Sequence, residues 1–218
     1  MTDLSQWEAR FAVFLAENRH TEDAAHDAMH IRRVVANARA LAAAEGADRA
    51  IVLPAAWLHD CVIVPKDSPQ RTMASRLAAT AAGEYLHAAG YPPVHIPAIQ
   101  HAIEAHSFSA RIAPRTLEAQ VVQDADRLDA LGAVGIARTL MLGGAMGKPL
   151  YDASEPFPVA RTADDRENVL DHFFVKLLTL SDTMQTRAGR AEAERRTAFM
   201  RRYLAQLSDE IGAKYPVA

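Results

Sequence analysis

Histidine and aspartate recur inside otherwise apolar stretches at three places in this chain, residues 24–35, 55–71 and 121–138. A single histidine on a helix is usually a surface residue or a hydrogen-bonded core residue. Burying several ionisable groups is costly unless something pairs with them, and a divalent cation pairs well with neutral imidazole and carboxylate together. The adjacent pair His59-Asp60 ends an apolar run, where side chains can converge on one point. The pattern therefore predicts a metal site.

The order and context of these residues resemble the HD superfamily of metal-dependent phosphohydrolases. His30 precedes the letters RRV, His59-Asp60 follows AAWL, and Asp126 stands within ADRLDA. The resemblance implies that His30, His59, Asp60 and Asp126 are the metal ligands, and that Asp60 also takes part in catalysis.

The resemblance covers about residues 20 to 205 and is similar to a bacterial branch with four further motifs. They are HDxxH at 26–30, PKxSPxR at 65–71, HSFS at 106–109 and HFxxKLL at 172–178. Members of this branch are linked to hydrolysis of nucleotide phosphates or pyrophosphates. The resemblance implies one HD-type domain over residues 1–218, and a phosphorylated small molecule, such as a nucleotide, as substrate.

Two imidazoles and two carboxylates form a mixed nitrogen and oxygen site. This donor set suits Mn²⁺, Fe²⁺, Co²⁺, Ni²⁺ or Zn²⁺ and contains too much nitrogen to favour Ca²⁺. Positions left open would admit water and a phosphate oxygen, so the metal could generate hydroxide and polarise the phosphoryl group. We expect a divalent transition metal to be the primary catalyst.

Asp124 and Asp126 lie two residues apart in one helical stretch, and such residues point about 200° away from each other. Only one of them is expected to face the metal, and the family context selects Asp126. Asp124 and Asp129 are expected to orient the ligands or to bind Arg127. The alternative is that both are ordinary solvated or capping acids.

His26 and His30 are four residues apart and share one face of a helix. His26 is a candidate catalytic residue that could hold a substrate phosphate, donate a proton to the leaving group or bind a second cation. A purely structural role is the alternative. His106, in the HSFS motif, is a candidate substrate-binding residue, whereas His101 and His95 are expected to be incidental.

Lys66 and Arg71 flank a proline-containing loop directly after the His59-Asp60 pair. Cationic side chains at the start of a helix form a suitable seat for phosphate. Lys66 and Arg71 are therefore candidate substrate-binding residues, with solvated surface charges as the alternative. Lys176 lies in an apolar helix and could either reach the same pocket or extend into solvent.

Apolar residues recur at helical spacing along almost the whole chain, and alternation typical of strands is nearly absent. Proline and glycine breaks divide the chain into about seven or eight helices, which predicts an all-α bundle. One helix is predicted from Ser68 to Ala89, with Gly90 at its C-terminal end. The proline- and glycine-rich segment 143–158 is expected to be a binding or lid loop, or a solvated connector.

The 24 basic and 27 acidic residues give a net charge of −3 and are spread along the chain. This distribution argues against a surface for polymeric nucleic acid or a polybasic membrane anchor. The N-terminus lacks the features of a signal peptide, and no apolar run is long enough to span a bilayer, so we expect a cytoplasmic location. The single cysteine, Cys61, is expected to be a small buried side chain. A homo-oligomer is compatible with the sequence.

Two other functions remain open at this point. Some relatives of the superfamily use two irons to oxidise a substrate with O₂, which requires extra histidine ligands. His26, His101 and His106 would be the candidates for those ligands. The second alternative is a binding or regulatory module without catalytic activity, which is less favoured because all four motif positions are filled.

Overall fold

All regular structure is helical in the part of the chain that the computed structural model describes, residues 3–18, 28–64, 68, 70–107 and 110–215. The side chains of residues 18, 28 and 71 lie outside that description. The α-helices are α1 (Leu4–Asn18), α2 (Ala28–Glu45), α3 (Arg49–Leu58), α4 (Ala74–Ala89), α5 (Ile96–His106), α6 (Leu117–Leu128), α7 (Gly132–Ala145), α8 (Asp171–Val175) and α9 (Arg187–Ile211). Three 3₁₀ helices span Arg71–Met73, Pro93–His95 and Leu177–Thr183.

The predicted all-α class is confirmed. These described ranges contain nine α-helices, slightly more than the predicted seven or eight. The apolar helix predicted around Lys176 is interrupted there: α8 ends at Val175 and a 3₁₀ helix begins at Leu177, so Lys176 lies between the two.

The chain forms two compact units. The first unit comprises residues 1–126 and 185–189, and the second comprises residues 127–184 and 190–218. The prediction of one domain over residues 1–218 stays a prediction.

In the first unit, α3 packs against α1, α2 and α5, while α4 packs against α5. The helix α3 is almost entirely apolar and mostly buried, which suits its place among these neighbours. Its N-terminus is capped by Asp48, whose side chain accepts a hydrogen bond from the amide of Ala50 at 2.8 Å. The same helix carries the His59-Asp60 pair immediately after its last residue, Leu58.

The helix predicted from Ser68 to Ala89 ends as expected but begins later. Ser68 accepts a hydrogen bond through Oγ from the amide of Gln70, and a 3₁₀ turn then precedes the start of α4 at Ala74. The bond is of the kind an N-cap serine makes, but the helical turn that follows is the 3₁₀ helix Arg71–Met73 and not α4 itself. Gly90 caps α4 with a φ of 79°, a left-handed conformation that glycine adopts without steric cost.

In the second unit, the segment between α7 and α8 has no α-helix and is held by its own contacts. Phe157 is fully buried and packs edge-on against Phe174 and Tyr215. Arg161 donates two hydrogen bonds of 2.6 Å to the buried carboxylate of Asp171. These contacts anchor the segment within the second unit.

No single helix in the described ranges is long and apolar enough to cross a membrane, and only α6 and α7 taken together reach the required length and hydropathy.

Candidate metal centre

His59 and Asp60 stand at the end of α3, where the buried apolar helix delivers both side chains to one place. His59 is completely buried, and its Nδ1 lies 2.9 Å from the carbonyl oxygen of Ala56, one turn earlier. Because a carbonyl oxygen only accepts, Nδ1 carries the hydrogen and Nε2 is left with a free lone pair in the neutral ring. The backbone of α3 therefore orients His59 Nε2 as a ligand atom.

His30 is supplied by α2 from the first turns of that helix. Its side chain is buried beside Ile31 and Val34, which face the core of the first unit. The Nε2 atoms of His30 and His59 approach to 3.4 Å. Two imidazole nitrogens from different helices thus point at the same small volume.

Two carboxylates complete this cluster. Asp60 Oδ2 lies 3.7 Å from His59 Nε2 and 3.9 Å from His30 Nε2. Asp126 Oδ1, from α6, lies 3.5 Å from His30 Nε2 and 3.8 Å from His59 Nε2. Both carboxylates are partly exposed, so the cluster is open on one side to solutes. We call His30, His59, Asp60 and Asp126 the candidate metal centre.

The donor atoms of this centre fit a small divalent cation. Ligand atoms about 2.0–2.2 Å from a metal lie about 3–3.4 Å from one another, and the 3.4–3.9 Å distances to the histidine nitrogens found here are slightly longer, so a bound cation would draw the side chains together. Burial lowers the pKa of His59 to about 4, although the nearby Asp60 carboxylate opposes this shift. His59 is therefore neutral at pH 7 and presents a lone pair to two carboxylates, an arrangement that a cation between them stabilises.

His106, at the end of α5, also faces this centre. Its Nδ1 lies 2.6 Å from the carbonyl oxygen of Ile103, and its Nε2 lies 3.6 Å from Asp60 Oδ1. Burial by itself lowers the pKa of His106, but the contact with Asp60 outweighs it and the net shift is upward. The sequence predicted His106 as a substrate-binding residue, and the structure adds that it lies against a candidate metal ligand.

Asp124 has a different environment from Asp126. Its fully buried carboxylate accepts hydrogen bonds from the amides of Gln185 and Thr186 at 2.9 and 2.8 Å, and from Thr186 Oγ1 at 2.8 Å. A Cβ atom on Gly189 would lie only 2.3 Å from Asp124 Oδ2, so glycine makes room for the carboxylate. Asp124 anchors the chain at the start of α9, and its predicted role in orienting the ligands stays a prediction.

Asp129 and Lys176 belong to the second unit. The buried carboxylate of Asp129 pairs with Arg138. Arg127, which the sequence analysis named as a possible partner of Asp124 and Asp129, donates to the carbonyl oxygen of Thr183. Lys176 is exposed and directly follows α8. Their predicted roles in ligand orientation and substrate binding stay predictions.

Three predicted residues cannot be placed in the site. His26 and Lys66 lie outside the described residues, and Arg71 is described only as the first residue of the 3₁₀ helix before α4. Cys61 is buried as predicted, and its thiol donates to the carbonyl oxygen of Ala78.

Two amide side chains that the sequence reasoning missed support the centre from both sides. Asn37 of α2 donates through Nδ2 to the carbonyl oxygen of Ala125 at 3.2 Å, next to Asp126. Gln123 of α6 donates through Nε2 to the carbonyl oxygen of Ala105 at 2.6 Å, next to His106. The sequence signal for both residues was an amide side chain on a helix face that is otherwise apolar. The carbonyl oxygens that the two amides bind belong to the residues directly before Asp126 and His106.

Comparison with known proteins agrees with this geometry. The family model of the HD domain matches residues 28–131, a range that contains all four residues of the candidate metal centre. The uncharacterised protein YpgQ of Bacillus subtilis (strain 168) is 36% identical over 194 residues, which cover 87% of this chain and 86% of YpgQ.

Solved structures extend this similarity over nearly the whole chain. The crystal structure of an HD-superfamily hydrolase from Bacillus thuringiensis has a TM-score of 0.75 and 33% identity, covering 96% of this chain and 99% of that one. The chain belongs to the HD superfamily. The crystal structure of Bacillus subtilis YpgQ in complex with ADP has a TM-score of 0.73 and 35% identity, with 96% of this HD protein and 97% of YpgQ covered.

Proposed function

We propose that this HD protein is a metal-dependent phosphohydrolase that cleaves a phosphoester or phosphoanhydride bond in a nucleotide. The observation that carries the proposal is the convergence of two carboxylates on two histidines: oxygens of Asp60 and Asp126 each lie 3.5–3.9 Å from the Nε2 atoms of His30 and His59, which are 3.4 Å apart. A mixed nitrogen and oxygen set of this kind supports Mn²⁺, Fe²⁺, Co²⁺, Ni²⁺ or Zn²⁺ as the cofactor.

A divalent metal held there would supply Lewis acidity toward a phosphoryl oxygen and lower the pKa of water toward neutrality. The chain's own residues would control the protons. Asp60 Oδ2 faces His30 and His59, whereas Asp60 Oδ1 faces His106. The two oxygens of this carboxylate therefore contact different neighbours. This arrangement supports Asp60 as a residue that both binds the metal and exchanges a proton with His106.

A nucleotide substrate is supported by the similarity to YpgQ, whose structure contains ADP. On this chain we assign the phosphate groups to Lys66, Arg71 and Lys176, and a proton donor or phosphate contact to His26. Nucleotides carry several negative charges, and Lys66 and Arg71, which follow Asp60 closely in sequence, are suited to bind them, whereas Lys176 is assigned from its HFxxKLL motif. These assignments rest on the motifs rather than on described contacts.

The proposal is tested by measuring release of phosphate and pyrophosphate from a panel of nucleoside mono-, di- and triphosphates with metal-loaded protein. We expect release from at least one nucleotide, and loss of that release after chelation and gel filtration. O₂ uptake measured on the iron-loaded protein would favour the di-iron oxygenase instead. Tight nucleotide binding without turnover under any of the five metals would favour a regulatory module.

Lys66→Ala and Arg71→Ala are expected to weaken catalysis without removing the metal. Loss of one charged hydrogen bond to phosphate costs about 1.5–3 kcal/mol, which lowers kcat/KM about tenfold to a hundredfold. The measurement is kcat/KM with the best nucleotide of the panel, together with bound metal and circular dichroism. Lys214→Ala, an exposed lysine near the C-terminus, is the matched control. Unchanged kcat/KM in both variants would make the loop a solvated connector.

A further inference from the structure

The second unit contains a cavity of about 310 Å³ beside the motif histidine His172, whose role the proposed function does not explain. The wall formed by α7 and the turn before α8 is apolar and includes Leu142, Met146 and Val169. None of the lining residues belongs to the candidate metal centre. Specific ligand sites are typically concave, mostly apolar and supplied with a few polar groups, which describes this cavity.

The polar side of the cavity carries two cations. Lys148 donates through Nζ to the main-chain carbonyl oxygen of Asp165 at 2.8 Å, a neutral acceptor that leaves two ammonium hydrogens for other partners. Arg166 uses Nε and Nη2 to bind Asp164, and its Nη1 hydrogens remain available. The cavity therefore offers N–H donors from two cationic side chains.

The carboxylate that lines the cavity is already engaged. Asp165 Oδ2 lies 2.8 Å from His172 Nδ1. The side chain of Asp165 thus contacts the imidazole, while its main-chain carbonyl oxygen accepts a hydrogen bond from Lys148. Arg166 is paired with Asp164, and Lys148 lies beside the Asp165 backbone, so the two cationic side chains are balanced by these two carboxylates. The N–H donors that these contacts leave on Lys148 and Arg166 suit the oxygens of an anion, because charge-assisted hydrogen bonds to phosphate are stronger than neutral ones.

The cavity is built from anchored backbone. A Cβ atom on Gly143 would lie 2.3 Å from Val169 Cγ2, so α7 approaches this wall closely because residue 143 is glycine. The amides of Val169 and Leu170 donate to the carbonyl oxygens of Pro149 and Leu150 at 3.1 and 2.9 Å. Such anchoring lowers the entropy cost of ordering the site when a ligand binds.

We propose that this cavity is a second ligand site, which binds a phosphate monoester attached to a compact apolar or flat group, about the size of a mononucleotide. The phosphate binds Lys148 and Arg166, and the remainder packs on Leu142, Met146 and Val169. This site goes beyond the proposed function and does not depend on it.

Methionine methyl NMR on the full-length, metal-loaded protein tests the proposal directly. Met146 lines the cavity, whereas Met29 is adjacent to His30 and reports on the candidate metal centre. The probe is the phosphonate analogue of AMP, in which carbon replaces the ester oxygen so that it resists hydrolysis. We expect the Met146 signal, assigned with Met146→Leu, to shift and saturate with the analogue and to respond at least about tenfold more weakly to adenosine.

The variants locate the binding. Lys148→Ala and Arg166→Glu should each raise the dissociation constant seen at Met146 by about tenfold or more, whereas Lys214→Ala should leave it unchanged. The side chain of Arg166 is 83% exposed, so its replacement tests the site without disturbing the core. A shift confined to Met29, an equal response to adenosine, or unchanged affinity in both variants would overturn the proposal.

Discussion

Asp126→Ala is expected to lose its bound metal and its nucleotide hydrolysis together. Asp126 Oδ1 is one of the atoms that converge with His30 Nε2 and His59 Nε2, and alanine leaves the cation without that carboxylate. Loss of a group that only orients a ligand costs about ten- to a hundredfold in metal affinity or activity, so loss of a ligand should exceed about a hundredfold. The fold should persist, because the Asp126 side chain is partly exposed.

The experiment compares metal content per protein after gel filtration with kcat/KM for the best nucleotide. Asp209→Ala removes an exposed carboxylate on α9 and is the matched control, which should retain both metal and activity. Chelation of the unmodified protein should abolish turnover, and re-addition of metal should restore it. Full turnover of a metal-free preparation, or full metal content in Asp126→Ala, would contradict the mechanism.

Asp124→Ala is expected to lower the free energy of unfolding by about 3–5 kcal/mol while the folded protein keeps its metal. The fully buried Asp124 carboxylate accepts three hydrogen bonds from Gln185 and Thr186. Alanine leaves these donors without their acceptor in a buried place, which costs more than an exposed ion pair contributes. We expect Asp124→Ala to change the metal content little, because the Asp124 carboxylate binds residues 185 and 186 just before α9.

Urea unfolding of metal-free samples measures this loss, since bound metal would add its own stabilisation to the folded state. Asp124→Asn keeps the shape and one oxygen acceptor, so it should lie between the unmodified protein and Asp124→Ala and provides a readout if the alanine variant does not fold. Greater metal loss in Asp124→Asn than in Asp126→Asn would show that the wrong aspartate was assigned to the metal. A change below about 1 kcal/mol in both Asp124 variants would contradict the anchoring role.

The sequence by itself determined the all-α class and the identity of the four side chains in the candidate metal centre. Apolar residues at helical spacing predict helices because a 3.6-residue period places them on one face. The His59-Asp60 pair at the end of an apolar run, and His30 and Asp126 in matching contexts, identified four side chains that the structure brings together, each carboxylate lying 3.5–3.9 Å from both histidine Nε2 atoms. These features are local, so they can be recognised without knowledge of how the helices pack.

Tertiary structure decided the partners of the remaining polar groups. Asp124 and Asp126 look alike in sequence, but only packing brings residues 185 and 186 onto Asp124, some sixty positions later in the chain. The contact of His106 with Asp60 likewise depends on how α5 packs against α3. The cavity beside His172 requires α7 to approach the turn before α8. Contacts between residues so far apart follow from the packing of whole helices, which no local pattern encodes.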